Sequence, residues 1–408
     1  MKKKHWLLAC LIGVSMHLVF LYTCCVFAKD RIILGAVMTM TGPGAMVGVE
    51  HKWAYEQAVS DINKKGGVYV KELGKRLPLK IIFADDRTDP AQAAAAVERL
   101  IKREKVDFVL GTTQDLLNAA AAPIADKYGR LYVTTTYWPE TFLSQNHKWV
   151  ALSFFTAADL LKSSVAIMDI LPESIRPKKV CVIVPDTPDG HAFGGGASKT
   201  VPALGYELAL YETYPEGTKD FSSSILKMKQ KGIEAVVYYG HSTDAITLIR
   251  QIKEQDFNPK YVWGARGMWP VEFYETLKSD ADYICHDGHW SEAFGYGISK
   301  ELAERFAKDF RGRTSVTIGN FYSVIQGLVK AIELAGSIDN KKVRDVYYSG
   351  HFVVKDTPVG DLKFNEKGLA IIPPVGLQWY KGQRMPVWPP RKDLWTLKLI
   401  PAWKERGQ

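Results

Sequence analysis

The chain opens its regular pattern with a short apolar run, Ile32-Ile33-Leu34-Gly35-Ala36-Val37-Met38, that ends in polar and glycine positions, Thr39-Met40-Thr41-Gly42-Pro43-Gly44. Aliphatic residues without polar alternation fit a strand covered on both faces, as in a parallel sheet. The pattern then alternates. Leu79 to Phe83 precedes a helical period over Pro90 to Lys102, followed by Phe108 to Leu110, a helix over Asp115 to Tyr128, and Leu131 to Thr134. After a linker around His147 to Thr156 the rhythm restarts with Val180 to Val184, a helix over Ala197 to Leu204 and Glu207 to Tyr211. It continues through a helix over Phe221 to Lys231, Ala235 to Tyr239, a helix over Asp244 to Glu254, and Tyr261 to Trp263. Such alternation builds β-α-β units, so the fold class is α/β, with a second lobe repeating the plan of the first. Helices over Lys300 to Phe310 and Asn320 to Ala335 follow. The tail from Val359 is rich in Pro, Gly and Trp with little periodicity, and its tryptophans predict docking on a lobe.

The stretch before the first strand has three parts: Lys2-Lys3-Lys4, an apolar segment from Trp6 to Phe27, and small residues at Val26 and Ala28. That is the grammar of a secretion signal, predicting cleavage after Ala28; the competing reading is an uncleaved membrane anchor. Residues 1–28 hold three lysines and no acids, so the remaining 380 positions carry 50 basic and 44 acidic residues, near +6. The charges are interspersed, without a dense basic run, which gives no support for nucleic-acid binding. A chain of that length can build two cores. Only Cys181 and Cys285 follow the signal, both in strand-like runs, so a disulfide framework is excluded and buried free thiols are expected, with a single bridge as the alternative.

Three stretches resemble chemistry and do not complete it. Cys285-His286-Asp287-Gly288-His289 has metal-ligand residue types, but strand alternation explains its spacing without a metal. Gly240-His241-Ser242-Thr243-Asp244 lacks the second glycine of a nucleophile elbow. Gly194-Gly195-Gly196 reads as a flexible loop without the spacing or following lysine of a phosphate cradle. No catalytic set, metal site or cofactor is therefore expected. Ligands of open parallel sheets sit beyond the carboxyl ends of the strands. The loops there are Thr39 to Gly48, Gly111 to Asp115, Thr134 to Glu140, Asp186 to Gly194, Gly240 to Asp244 and Gly264 to Trp269.

Across the chain after residue 28, a series of short motifs resembles the periplasmic binding proteins that serve ABC importers of leucine, isoleucine, valine and related small molecules. They are Thr41-Gly42-Pro43, Ile62-Asn63-Lys64-Lys65-Gly66-Gly67-Val68, Asp85-Asp86-Arg87-Thr88-Asp89-Pro90, Ala122-Pro123-Ile124-Ala125 and Phe193-Gly194. Val237-Tyr238-Tyr239-Gly240, Ala331-Ile332-Glu333-Leu334-Ala335-Gly336, Leu377-Gln378-Trp379 and Trp388-Pro389 complete the series. Each is weak alone; their order and spacing are specific. The resemblance implies two doubly wound parallel-sheet lobes joined by a three-strand hinge, the type I periplasmic-binding-protein fold. Residues 29–149 with 290–352 would form lobe one, and 150–289 with 353–408 lobe two. It implies a small-molecule ligand in the interlobe cleft, delivery to ABC permease subunits of the inner membrane, a periplasmic location and no catalysis.

The same resemblance locates the ligand contacts. Thr113, Gln114 and Asp115 fall in the loop that holds the ligand carboxylate in amino-acid binders, with Gln114 and Asp115 replacing the usual serines. Trp138 aligns with a threonine that touches the amino group, with Thr136 and Tyr137 beside it. Phe193 aligns with a stacking tyrosine and Ser242 with a second one. Arg266 aligns with the glutamate that pairs with the ligand ammonium. A guanidinium cannot accept that ammonium and instead offers a donor fork to a carboxylate. The favoured ligand is thus an organic or aromatic carboxylate, walled by Trp138, Tyr137, Phe193 and Trp269. Asp115 opposes this, either by receiving an amine or by pairing with Arg266 and leaving a neutral amide or polyol ligand. The competing functions are a ligand-sensing receptor of the same fold and a secreted enzyme, for which no acid, base or nucleophile set assembles.

Overall fold

The computed structural model describes residues 29–406, so the signal expected over 1–28 lies outside the described residues. Two parallel sheets organise the chain. The first has six strands in the order Leu369–Ile371, Val150–Phe154, Tyr132–Thr134, Phe108–Leu110, Ile32–Met38 and Leu79–Asp85. The strand Ile32–Met38 runs parallel to both neighbours, with Ile32 opposite Leu79 and Leu34 opposite Phe108. Leu34, Ala36, Val37, Phe108, Val109 and Leu110 are all fully buried, as a strand between two helix layers requires.

The second sheet has seven strands: Gln383–Trp388, Val375–Tyr380, Cys285–Gly288, Tyr261–Ala265, Ala235–Tyr239, Lys179–Pro185 and Glu207–Tyr214. The first two form an antiparallel ribbon that adds to Cys285–Gly288 at one edge. The chain passes between the sheets three times, after Phe154, after Gly288 and after Ile371. This is the α/β architecture of two doubly wound lobes joined by three connections. No described helix is long and apolar enough to cross a membrane.

Local chemistry accounts for the elements the sequence announced. Helix Pro90–Lys102 begins where Asp89 accepts a hydrogen bond from the Gln92 amide at 2.8 Å, with Pro90 in the first turn. It buries Ala93, Ala96, Val97, Leu100 and Ile101, one apolar stripe of helical period. The long helices Ala45–Lys64 and Ile318–Ala335 pack together on the opposite face of the first sheet.

Several expectations are corrected. Strand pairing gives Val150–Phe154 and Leu369–Ile371 to the first sheet, whereas the expected boundaries assigned 150 onward and 353 onward to lobe two. Val354, Leu362 and Phe364 likewise pack in the core of the first lobe, beside Phe352, which was expected there. The tail is not irregular: it supplies the strands Gly360–Phe364, Leu369–Ile371, Val375–Tyr380 and Gln383–Trp388. Their pairing is set by distant partners, so periodicity within such short segments carries little signal. The glycine run 194–196 is helical, inside Pro188–Ala203, with Thr187 Oγ1 accepting from the Gly190 amide. Its glycines serve close packing: a Cβ on Gly194 would lie 2.4 Å from the Tyr211 hydroxyl, and one on Gly196 2.5 Å from Leu161. Cys181 and Cys285 are free, buried thiols, and burial pushes both well above the ordinary thiol range.

Candidate functional site

The carboxyl ends of the first-sheet strands are tied together by hydroxyls and one asparagine. Thr112 and Thr39 hydroxyls both reach the Asp86 carboxylate, and Thr39 Oγ1 lies 2.6 Å from Thr113 Oγ1. Asn118 is the hub. Its fully buried amide nitrogen faces the carbonyls of Thr112, Gln114, Thr135 and Thr136 at 3.0–3.4 Å. Its oxygen accepts from Tyr132 and Thr134 hydroxyls, each at 2.8 Å. Gly111 is required here, because a Cβ would stand 1.9 Å from Thr134 Oγ1. Thr136, at φ 55°, spends its own hydroxyl on backbone carbonyls of Thr112 and Thr135. Thr113 and Thr136 are thus buried and internally bonded.

Gln114 caps helix Asp115–Lys127 with an extended backbone, its amide leaning toward Gly44. Asp115 accepts from the Trp138 amide at 2.7 Å. Burial pushes its carboxyl up to about 6, the Trp138 amide restrains the rise, and the Glu140 charge adds to it. Trp138 packs edge-on against Phe154 and Phe155, with ring centroids 5.4 and 5.6 Å apart. Tyr137, expected beside the ligand, turns inward instead. It is fully buried, and its hydroxyl is 3.1 Å from His147 Nε2, which leaves no ring face for a cleft. Adjacent loop residues point to opposite sides, and the apolar space under Phe142 took the tyrosine.

The second lobe presents an aromatic platform. Phe193 stacks on Tyr239 with centroids 4.6 Å apart and lies nearly parallel to Trp263 at 6.3 Å. Arg266 follows strand Tyr261–Ala265 with φ 65°, its amide donating to Asp287 Oδ1 at 3.2 Å. That conformation is uncommon for a residue with a side chain and aims the guanidinium across the platform, 5.9 Å from the Tyr239 ring centre. Its Nη1 donates to Asp189 Oδ2 at 2.6 Å, in the same lobe. Asp189 is held below the ordinary carboxylate range: burial acts upward, but the Thr187 hydroxyl, Arg266 and Tyr239 outweigh it. Asp115 and Arg266 therefore have separate partners and do not meet in this conformation. Ser242 starts helix Ser242–Glu254 beside Arg266, since a Cβ on Gly267 would lie 2.7 Å from the His241 carbonyl.

Sequence reading missed Asp189 and Tyr239. Strand alternation in Val237-Tyr238-Tyr239 puts the two tyrosines on opposite faces, and Asp189 lies one helical turn before Phe193. Asp287 carries in the sequence only the alternation of its strand. It is buried, and that burial pushes its carboxyl up to about 7 despite the Arg266 amide. Among the described residues no three His, Cys, Asp or Glu side chains gather as metal ligands.

The chain is 26% identical over 345 residues to the leucine-, isoleucine-, valine-, threonine- and alanine-binding protein of Pseudomonas aeruginosa, covering 84% of this chain and 87% of that one. Among solved structures it is similar to a branched-chain amino acid transporter substrate-binding protein of Streptococcus pneumoniae in complex with isoleucine. That likeness has a TM-score of 0.71 at 20% identity, over 87% of this chain and 97% of the other. It is equally similar, with a TM-score of 0.71 at 17% identity, to an ABC transporter solute-binding protein of Rhodopseudomonas palustris in complex with 3,4-dihydroxybenzoic acid, over 92% and 99% of the two chains. The sequence profile described as periplasmic binding protein matches residues 31–377, from the first strand through the third interlobe connection, and the chain belongs to that family.

Proposed function

We propose that this protein is the solute-binding subunit of an ABC importer and that it captures an organic carboxylate, most readily an aromatic one, between its lobes. The observation that carries the reading is Arg266, a guanidinium over the ring of Tyr239, itself stacked on Phe193, where the strand ends of the second sheet open. Asp189 occupies one edge of the guanidinium, and an incoming carboxylate takes the other or displaces it. The Rhodopseudomonas neighbour's dihydroxybenzoic acid is of this class. Delivery would be to permease subunits of the inner membrane, from the periplasm, after removal of the signal before Lys29. The chemistry required is affinity and release, without a nucleophile or general base.

A second reading rests on the same pair. Asp189 beside Arg266 offers opposite charges 2.6 Å apart, which suits a zwitterion such as the isoleucine of the Streptococcus neighbour. A thermal-shift screen of protein lacking residues 1–28 separates the two, because ligand at 100 times its Kd adds about 2.7 kcal/mol of stability. Benzoates and aliphatic carboxylates are expected to raise Tm while leucine and valine do not. Arg266→Glu is expected to weaken the carboxylate response about thirtyfold or more, with the ligand-free protein still folded and only slightly less stable. A response to leucine alone would remove the carboxylate reading in favour of the zwitterion.

A further inference from the structure

Beside the connections between the lobes lies a second group of polar side chains that neither the platform nor the hydroxyl network uses. His51 is 1% exposed, its ring stacked on Phe321 with centroids 3.6 Å apart. Neither of its ring nitrogens has a hydrogen-bond partner among the described residues. Asn320, the neighbour of Phe321 in the first turn of helix Ile318–Ala335, is also 1% exposed, and both atoms of its amide lack a partner among those residues. His289 adds an unpartnered Nδ1. Its backbone amide is fixed to Val316 at 2.9 Å, and its ring meets Phe154 and Phe155 edge-on at 5.0 and 5.2 Å, with Trp269 at 6.4 Å. The three residues come from three separate segments of the chain. His51 sits one turn before Tyr55, whose hydroxyl reaches the Gly111 carbonyl, so it lies on the cleft side of the first lobe.

Buried donors and acceptors are nearly always paired, and a cluster that the chain itself does not pair is built to be paired by something else. The group wanted here is uncharged. Burial holds the His51 and His289 imidazoles neutral, His289 adding to the effect on His51, so each ring offers one donor and one acceptor. The Asn320 amide offers both as well. A hydroxyl, which donates and accepts at one atom, fits such a set; a carboxylate or ammonium would find no opposite charge in it. Phe154, Phe155 and Trp269 line the His289 ring, and Trp138 packs against the two phenylalanines in turn, so apolar rings adjoin the cluster. We propose that His51, Asn320 and His289 form a second polar subsite at the hinge, which receives a neutral hydroxyl on the ligand while Arg266 holds its carboxylate. The proposal deepens the carboxylate reading and rests on it for the opposite end of the ligand.

The test is calorimetric titration of the wild-type protein, Asn320→Leu and His51→Phe with benzoate, 3-hydroxybenzoate, 4-hydroxybenzoate and phenol. The wild type is expected to bind the better hydroxybenzoate at least tenfold more tightly than benzoate. Both variants keep the outline of the side chain while removing its polar atoms, and both are expected to bring that ratio near one while benzoate affinity stays as it was. A ratio unchanged in the variants, no hydroxyl preference in the wild type, or no binding by any hydroxylated probe overturns the subsite. Failure of the carboxylate reading looks different: phenol then binds as tightly as the hydroxybenzoates, and Asn320→Leu still weakens it. Should a variant fail to fold, imidazole nitrogen shifts of wild-type His51 and His289 give the same decision. They are expected to move with hydroxybenzoate and not with benzoate, and equal shifts with both would overturn the proposal.

Discussion

The two lobes meet the cleft with opposite chemistry. In the strand-end loops of the first lobe the hydroxyls are already spent: Thr39, Thr112, Thr113, Thr134 and Thr136 bond Asp86, Asn118, one another or the backbone, and all are buried. At the second lobe's edge the groups are half-exposed and only partly paired, with an arginine and an aspartate over stacked rings. A satisfied, buried network is rigid and sets the loop positions, while an open pair of charges on an aromatic face is free to exchange partners. On the proposed function, that difference places discrimination between ligands in the second lobe: the first would supply a frame, and the second the contact that decides which charge is accepted.

Breaking the frame has the largest expected effect. Asn118→Ala removes the hub that serves four carbonyls and two hydroxyls, leaving several of them buried and unpaired. It is expected to cost about 3–4 kcal/mol in urea unfolding. A loss no greater than that of an exposed substitution would mean that the first-lobe edge is not a stability element.

Exchanging the partner on the other side sharpens the comparison without unfolding anything. Asp189→Asn keeps an acceptor for Arg266 and removes the competing charge, so carboxylate affinity is expected to rise about fivefold at low salt, less at high salt. Calorimetry with benzoate reads the change. Weaker binding of a zwitterionic ligand in the same variant would instead make Asp189 a ligand contact.

The smallest effect comes from beneath Arg266. Asp287 titrates at about 7 when folded against an ordinary 3.8, so between those values the folded protein holds a proton that the unfolded chain has released. Stability from this group is therefore lost as pH rises from about 4 to 7. Asp115 and Glu50, each pushed by burial to about 6, act in the same direction, with the Ser315 hydroxyl restraining Glu50. Asp287→Asn is expected to raise Tm by a few degrees at pH 8, to leave it unchanged near pH 4, and to flatten the slope between. An unaltered slope would mean that Asp287 stays solvated.

Much of the fold was legible because its signals are local. Strand Ala235–Tyr239 and helix Pro90–Lys102 begin and end where apolar runs, a capping aspartate and a helical stripe say they should. The order of short motifs carried the family, and Arg266 stood out as a charge reversal. Other features left no local trace. Gly194-Gly195-Gly196 reads as a loop, yet it packs against Tyr211 and Leu161 as helix, and the cap that announces it lies seven residues earlier at Thr187. Tyr137 and Trp138 are neighbours of similar character, and only the space under Phe142 sends one inward.

What the sequence determined by itself, then, is the alternation of strands and helices, the doubling into two lobes and the presence of an arginine at a cleft loop. Each follows from period, capping and residue type within a few positions. Tertiary structure alone decided that Asp189, 77 residues before Arg266, neutralises part of its charge, that strands near both ends of the chain complete the sheets, and that the unpartnered His51 and His289 lie close enough to act on each other. Those outcomes depend on which distant segments are brought together and on how much water is excluded when they meet, and neither quantity is written at any single position.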